Sequence, residues 1–205
     1  MPEFQAILFD FDGVLLDSEP VHCECWREVL APLGVRVTWE AYAAHCVGAA
    51  DRSMMEVFAK LADPPADPAK LWELYPLKKQ RFRERMAVNP PFAPGVADFF
   101  RDLSGRYKLG VVSSSAHAEI DPLLGAAGIL PYLGTVVGGG DVQRHKPDPE
   151  PYLLAAGRLG IQSALVVEDS APGLESARAA GFAAVRITDP ARMMEAVRAR
   201  LNGNG

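Results

Sequence analysis

The chain comprises 205 residues, 49% of them hydrophobic, with a formal net charge of −5. That apolar content supports a sizeable core, in one large domain or a domain carrying an insert, and excludes a disordered chain. The acidic balance excludes the clustered surplus of Lys and Arg that a nucleic-acid partner demands, and no apolar run approaches the ~18 residues that span a bilayer. The N-terminus MPEFQAILFD is too acidic for a secretory signal, so the expected protein is cytoplasmic, without a membrane or nucleic-acid partner, and monomeric. Cys23, Cys25 and Cys46 are odd in number and lack metal-finger spacing, so they read as reduced thiols packed in helices.

Residues 6–9, Ala-Ile-Leu-Phe, form a short apolar run of the kind buried in a parallel sheet. Asp10 and Asp12 follow it, and Gly13 lets the backbone turn tightly just past the second acid. Two carboxylates so close raise one another's pKa unless a cation or a shared proton compensates, which points to a divalent metal.

From residue 18 to 88 the β-rich runs give way to helical periodicity. Trp26, Val29, Leu30 and Leu33 recur three to four apart, as do Met54, Met55, Phe58 and Leu61, while Leu71, Trp72, Leu74 and Tyr75 begin another apolar face. About four short helices are expected here, an all-helical insert after the first strand. Within it, Lys78 and Lys79 read first as a solvated basic face. Residues 89–95, Asn-Pro-Pro-Phe-Ala-Pro-Gly, are dense in breakers and form the exit linker.

The remainder alternates. Strand-like runs at 109–113, 135–137, 165–168 and 183–187 are separated by helical segments around 96–103, 118–126, 151–159 and 173–180. The pattern predicts an α/β fold: a doubly wound, Rossmann-like parallel sheet built from residues 1–17 and 89–205, with 18–88 as a small helical cap inserted after the first strand. Ligands of open parallel sheets bind beyond the carboxyl ends of the strands. There the sequence places Asp10, Ser113, Glu168 and Asp169, with Lys146 on the loop after 135–137. Each has an ordinary reading alone, Ser113 and Ser170 as helix caps and Lys146 as a surface charge. Their convergence on one rim is what marks a site.

The segment DFDGVLLDSE at 10–19, with Val111-Val112-Ser113, Lys146-Pro147-Asp148-Pro149 and Val166-Val167-Glu168-Asp169, resembles the four ordered signatures of the haloacid dehalogenase superfamily of phosphohydrolases. The resemblance spans Asp10 to Asp169, most of the chain. It implies that Asp10 attacks phosphorus to form an aspartyl-phosphate and that Asp12 serves as general acid and base. It implies Mg²⁺ held by Asp10, Asp169 and the Asp12 carbonyl, with Glu168 acting through a metal-bound water or as a secondary ligand. Lys146 would neutralise nucleophile and phosphoryl oxygens, and Ser113 and Ser114 would supply hydrogen bonds to them.

The insert resembles the small cap of the subgroup that includes phosphoglycolate phosphatase and β-phosphoglucomutase, which closes over the site and carries specificity. His22, Gly48, Arg52 and Lys78 are its candidate substrate contacts; His22 matches a histidine of the mutase and equally suits helix packing. The mutase pattern places an arginine three residues after the glycine, where this chain has Asp51. The expected activity is therefore Mg²⁺-dependent hydrolysis of a small phosphomonoester, a sugar phosphate or a phosphoglycolate-like acid. A phosphomutase of the β-phosphoglucomutase kind is the nearest alternative, a dehalogenase a weaker one. A phospho-accepting signalling module also combines such residues on a doubly wound sheet, but its domain is small and has no inserted cap.

Overall fold

The computed structural model describes residues 3–47, 49 and 51–203. The chain divides into two compact units, Met1–Asp17 with Pro90–Gly205, and Ser18–Asn89. It enters the first through β1 (Ala6–Phe9), whose four apolar residues are all buried, and then leaves for the second.

The second unit carries five helices among the described residues: α1 (Glu19–Leu30), α2 (Trp39–His45), α3 (Asp51–Lys60), α4 (Pro68–Trp72) and α5 (Tyr75–Val88). Trp26, Leu30, Tyr42, Met54, Met55, Phe58 and Leu71 meet in its core. Two expectations need correction. Leu33 does not extend the apolar face of α1: the helix ends at Leu30, a 3₁₀ turn holding Pro32 follows, and Gly34 adopts a left-handed φ of 76°. The tighter turn rotates Leu33 off the buried stripe, leaving it 48% exposed. The face expected from Leu71 to Tyr75 is likewise two helices, broken at Glu73 and Leu74 and restarted by Tyr75-Pro76.

Back in the first unit come α6 (Val96–Ser104), β2 (Lys108–Val112), α7 (His117–Ala126), β3 (Thr135–Val137), α8 (Glu150–Leu159), β4 (Ala164–Glu168), α9 (Ala171–Ala179), β5 (Ala183–Arg186) and α10 (Met193–Leu201). Gly95, at a left-handed φ of 81°, opens α6, which buries Val96, Phe99, Phe100 and Leu103 at helical spacing. The five strands pair in the order β3-β2-β1-β4-β5, every pair parallel. Successive strand residues point to opposite faces. Leu8, Val112 and Val166 therefore join Tyr152, Ala155 and Ala177 from α8 and α9, while Phe9 packs on Phe100 of α6 with ring centroids 4.7 Å apart. Helices thus cover both faces, and the sheet is doubly wound. Cys23, Cys25 and Cys46 are free and buried, and burial raises all three thiol pKa values. No helix among the described residues is long and apolar enough to cross a membrane.

Candidate active site

Strand register assembles the site in the first unit. Phe9 stands level with Val111 on one side and Val167 on the other, so the next residue along each chain, Asp10, Val112 and Glu168, emerges at one rim. Asp10 is fixed there by its N–H donating to the Val167 carbonyl at 2.9 Å, and Ser113 by its N–H donating to Val137 O at 2.9 Å. One cation ties the strands together. Lys146 Nζ donates to Asp10 Oδ1 at 2.6 Å, to Glu168 Oε1 at 2.7 Å and to the Val112 carbonyl at 3.1 Å. It also lies 5.1 Å from the centroid of the Tyr152 ring. The surface-charge reading of Lys146 does not hold, because the loop after β3 turns its side chain inward.

Glu168 is fully buried and both its oxygens have partners. Besides Lys146, Oε1 accepts from the Tyr152 hydroxyl at 3.2 Å, and Oε2 accepts from the Ser170 N–H and hydroxyl, each at 2.9 Å. Ser170 is also the N-cap of α9, its Oγ accepting from Gly173 N at 3.1 Å. Burial opposes the Glu168 charge, but Lys146 and Ser170 overcome it and hold the carboxyl below its ordinary range. Burial likewise opposes charge on Lys146, yet Asp10 and Glu168 keep its pKa above that of a free lysine. Asp10 is the excess anion: burial raises its pKa, Lys146 opposes the rise, and the Glu168 charge adds to it. Asp169 is pushed up to about 6, again by burial first and Glu168 second.

Carboxylate oxygens of Asp10, Glu168 and Asp169 lie within 4.8 Å of one another. Hard oxygen donors so clustered, two of them with pKa values raised by proximity and burial, suit a divalent cation, which would bind as protons leave. Glu168, engaged through both oxygens, is better placed to hold Lys146 than to be a direct ligand. The Asp12 side chain is not among the three that converge; its Oδ2 accepts from Ser115 Oγ at 3.4 Å. Gly13 takes a φ of 74° there, and a Cβ on it would lie 2.4 Å from Asp169 Oδ2, so the turn brings backbone directly against that acid. Ser113 is buried and its Oγ accepts from Ser115 N at 3.0 Å, an intra-loop turn rather than a helix cap. Ser114 is exposed beside it.

Gly173 packs directly on this cluster: a Cβ there would lie 1.7 Å from Glu168 Oε1. Because Lys146, Tyr152 and Ser170 pin that carboxylate, Gly173→Ala is expected to cost ~1–3 kcal/mol by overpacking. A melting temperature several degrees lower, with at least ~10-fold slower turnover, is the expected reading.

The remaining candidates lie in the second unit. Lys78 does not form a solvated face: it is 1% exposed. Its Nζ lies 5.2 Å from the Trp26 ring, 5.9 Å from Tyr75 and 5.8 Å from Phe82, 2.8 Å from His22 Nδ1 and 3.0 Å from Asp51 Oδ1. Helix periodicity puts Lys78 inward once α5 starts at Tyr75, and Asp51 compensates the charge. Asp51 also accepts from Trp26 Nε1 at 3.3 Å. His22 stacks on Phe82 with centroids 4.0 Å apart, and burial and then the Lys78 charge depress its pKa to about 4. Lys78→Met is expected to raise the His22 pKa, read by NMR titration of the ring; a ring still titrating near 4 would contradict the coupling. Arg52 lies over the Trp72 ring at 5.3 Å. Gly48 lies outside the described residues.

Residue spacing carries no signal for Tyr152, for Ser115 or for the partnership of Asp51 with Lys78. Tyr152 lies 16 residues before its acceptor, Glu168, and its only linear signal is an aromatic in the first turn of α8.

A doubly wound sheet whose strand ends bring together a buried lysine and three carboxylates is a site suited to phosphoryl chemistry. The chain belongs to the haloacid dehalogenase-like hydrolases, whose family model matches residues 7–187. Fructose-1-phosphate phosphatase YqaB of Escherichia coli strain K12 is 31% identical over 186 residues, 90% of this chain and 96% of that one. Phosphoglycolate phosphatase of the same organism is 32% identical over 207 residues, 91% of this chain and 82% of its own. Among solved structures, a haloacid dehalogenase-superfamily hydrolase of subfamily IA from Geobacter sulfurreducens PCA superimposes with a TM-score of 0.73. It covers 95% of this chain and 96% of its own at 23% identity, a likeness of fold. The chain is thus a phosphatase of this family, and such hydrolases generally use a divalent metal.

Proposed function

We propose that the protein hydrolyses a small phosphomonoester, a sugar phosphate or a phosphoglycolate-like acid, through an aspartyl-phosphate on Asp10 and with Mg²⁺ as cofactor. The observation that carries this reading is the Lys146 bridge between Asp10 and Glu168 with Asp169 alongside. Lys146 holds Asp10 in one orientation and opposes the rise in its pKa that burial causes, so that its carboxylate can attack phosphorus in line as the ester oxygen departs. Asp12, oriented by Ser115, donates the proton to that oxygen and then takes one from the water that releases phosphate. Ser113, Ser114 and Lys146 offer donors where phosphoryl charge develops. Mg²⁺, held by Asp10, Asp169 and the Asp12 carbonyl, would supply charge compensation among these anions. Relatives named for fructose 1-phosphate and phosphoglycolate support a small soluble substrate. The commitment of Lys78 to Asp51 and His22 weighs against the mutase alternative, which has an arginine at the position of Asp51.

The test is phosphate release from a panel of sugar, nucleotide and carboxylic phosphomonoesters, with Mg²⁺ or with chelator. Release that requires Mg²⁺ and favours sugar phosphates or phosphoglycolate is expected. Chelator-insensitive release would contradict the cofactor assignment, and interconversion of hexose phosphates without net release would move the assignment to a mutase.

A further inference from the structure

Next to the Ser113 loop, but outside the carboxylate cluster, lies a second charged assembly that the chemistry above does not use. His117, the first residue of α7, faces carboxylates through both ring nitrogens. Nδ1 lies 3.1 Å from both oxygens of Asp121 on the same helix, and Nε2 lies 2.9 Å from Asp141 Oδ2. That same oxygen accepts from Gly138 N at 3.2 Å and from an Arg158 guanidinium nitrogen of α8 at 2.9 Å. Arg158 reaches on to the Val136 carbonyl of β3 at 2.8 Å. The turn that presents Asp141 is pressed against the loop that begins at Ser113. Gly139 N donates to Ser115 O at 2.9 Å, and a Cβ on Gly139 would lie 2.2 Å from Ser114 O. A Cβ on Gly138 would meet His117 Cδ2 at 3.0 Å.

Only an imidazolium has two N–H groups, so only the protonated ring donates to Asp121 and Asp141 together. We propose that His117 is a positioning residue, a cationic bridge that pins the start of α7 to the Gly139–Asp141 turn and thereby holds the Ser113–Ser115 loop in its phosphate-binding shape. The proposal rests on the reading of that loop as the phosphate site. The cap of α7 at Ala116 has no side-chain hydrogen bond, so the bridge replaces the usual local anchor of a helix start. The groups facing the ring are Asp121 from α7 and Asp141 from the turn, the latter shared with Arg158 of α8. Hydrogen bonds from Asp141 and Asp121 raise the His117 pKa above its ordinary value, while the same histidine and Arg158 hold Asp141 down at about 2. The bridge is therefore complete while the ring is protonated and is lost as pH rises through the raised His117 value.

The experiment pairs NMR titration of the His117 ring with KM and kcat against pH on the best ester of the panel, in the wild type and in His117→Gln and Asp141→Asn. In the wild type KM is expected to rise about five-fold on the alkaline side, the size suited to one partly exposed charge-assisted hydrogen bond. The inflection should coincide with the ring titration, with kcat changing less. His117→Gln should show the high KM at all pH values, and Asp141→Asn should move the inflection to lower pH. An alkaline rise unchanged in His117→Gln, or absent in the wild type, overturns the proposal. Should no ester be turned over, the phosphatase reading fails, and hydrogen exchange of amides 113–117 decides separately. Faster exchange in His117→Gln supports the bridge, and unchanged exchange refutes it.

Discussion

Asp10→Asn is expected to abolish turnover by a factor of at least ~10⁴ while leaving a folded protein, because an amide oxygen is too poor a nucleophile to form an acyl phosphate. The fold should tolerate the change. The amide oxygen can still accept from Lys146, which now sits at 2.6 Å from Asp10 Oδ1, and the substitution removes an anion whose pKa burial and Glu168 have raised. A group with a raised folded-state pKa destabilises the native state once pH exceeds its unfolded value, so the neutral variant should melt at or above the wild-type temperature near pH 8. Phosphate release and thermal melting on the same preparations separate the outcomes. Lost activity with a melting temperature held or raised is the expected pair; substantial residual turnover would remove Asp10 from the nucleophile's role.

Lys146→Met comes second in expected effect and acts on stability and catalysis together. The lysine is the cation between two buried carboxylates, and removing one partner of such a group leaves uncompensated charge at a cost of ~3–5 kcal/mol. Turnover should fall by ~10²–10³ as the phosphoryl oxygens lose a charged donor. The pH dependence discriminates this from generic damage. In the wild type Lys146 and Ser170 hold the Glu168 pKa low, so that contribution to stability is present above the unfolded value and is lost as pH falls through the folded one. Without Lys146, burial drives the same carboxyl upward, and protonation then relieves the variant. Urea melts at pH 8 and pH 5.5 should show the stability gap between wild type and variant narrowing in acid; a gap independent of pH would mean that charge compensation is not what Lys146 contributes.

The parts legible in the sequence were those whose cause is local. β1 and the carboxylates after it follow from an apolar run that can only be buried and from an acid that cannot remain in it, and Asp10 stands one residue past Phe9. Ser113 and Glu168 are found the same way, at or just beyond the ends of β2 and β4. The helix limits shifted by a residue or two where capping rather than apolarity decides, as at Ser170. Illegible were the features created by distant side chains. Nothing local to Lys78-Lys79 distinguishes the lysine that Trp26, Tyr75 and Phe82 enclose from the one beside it, and Asp51, read as a missing arginine, is the counterion that permits the burial. Leu33 failed for the opposite reason: apolar spacing was satisfied, but Pro32 and the following glycine ended the helix before that spacing could act. His117 and Asp141 are 24 residues apart and meet only because β2 and β3 are neighbours in the sheet.

The covalent step proposed at Asp10 is central to the function put forward above, and acid quenching during turnover of the best panel ester with Mg²⁺, followed by borohydride reduction and peptide mass mapping, reads it directly. An aspartyl-phosphate is reduced to homoserine, so the account predicts homoserine at position 10 in the wild type and its absence without substrate. Homoserine at another acid, or unmodified Asp10 in samples quenched while phosphate is being released from an enzyme shown to burst, would contradict it.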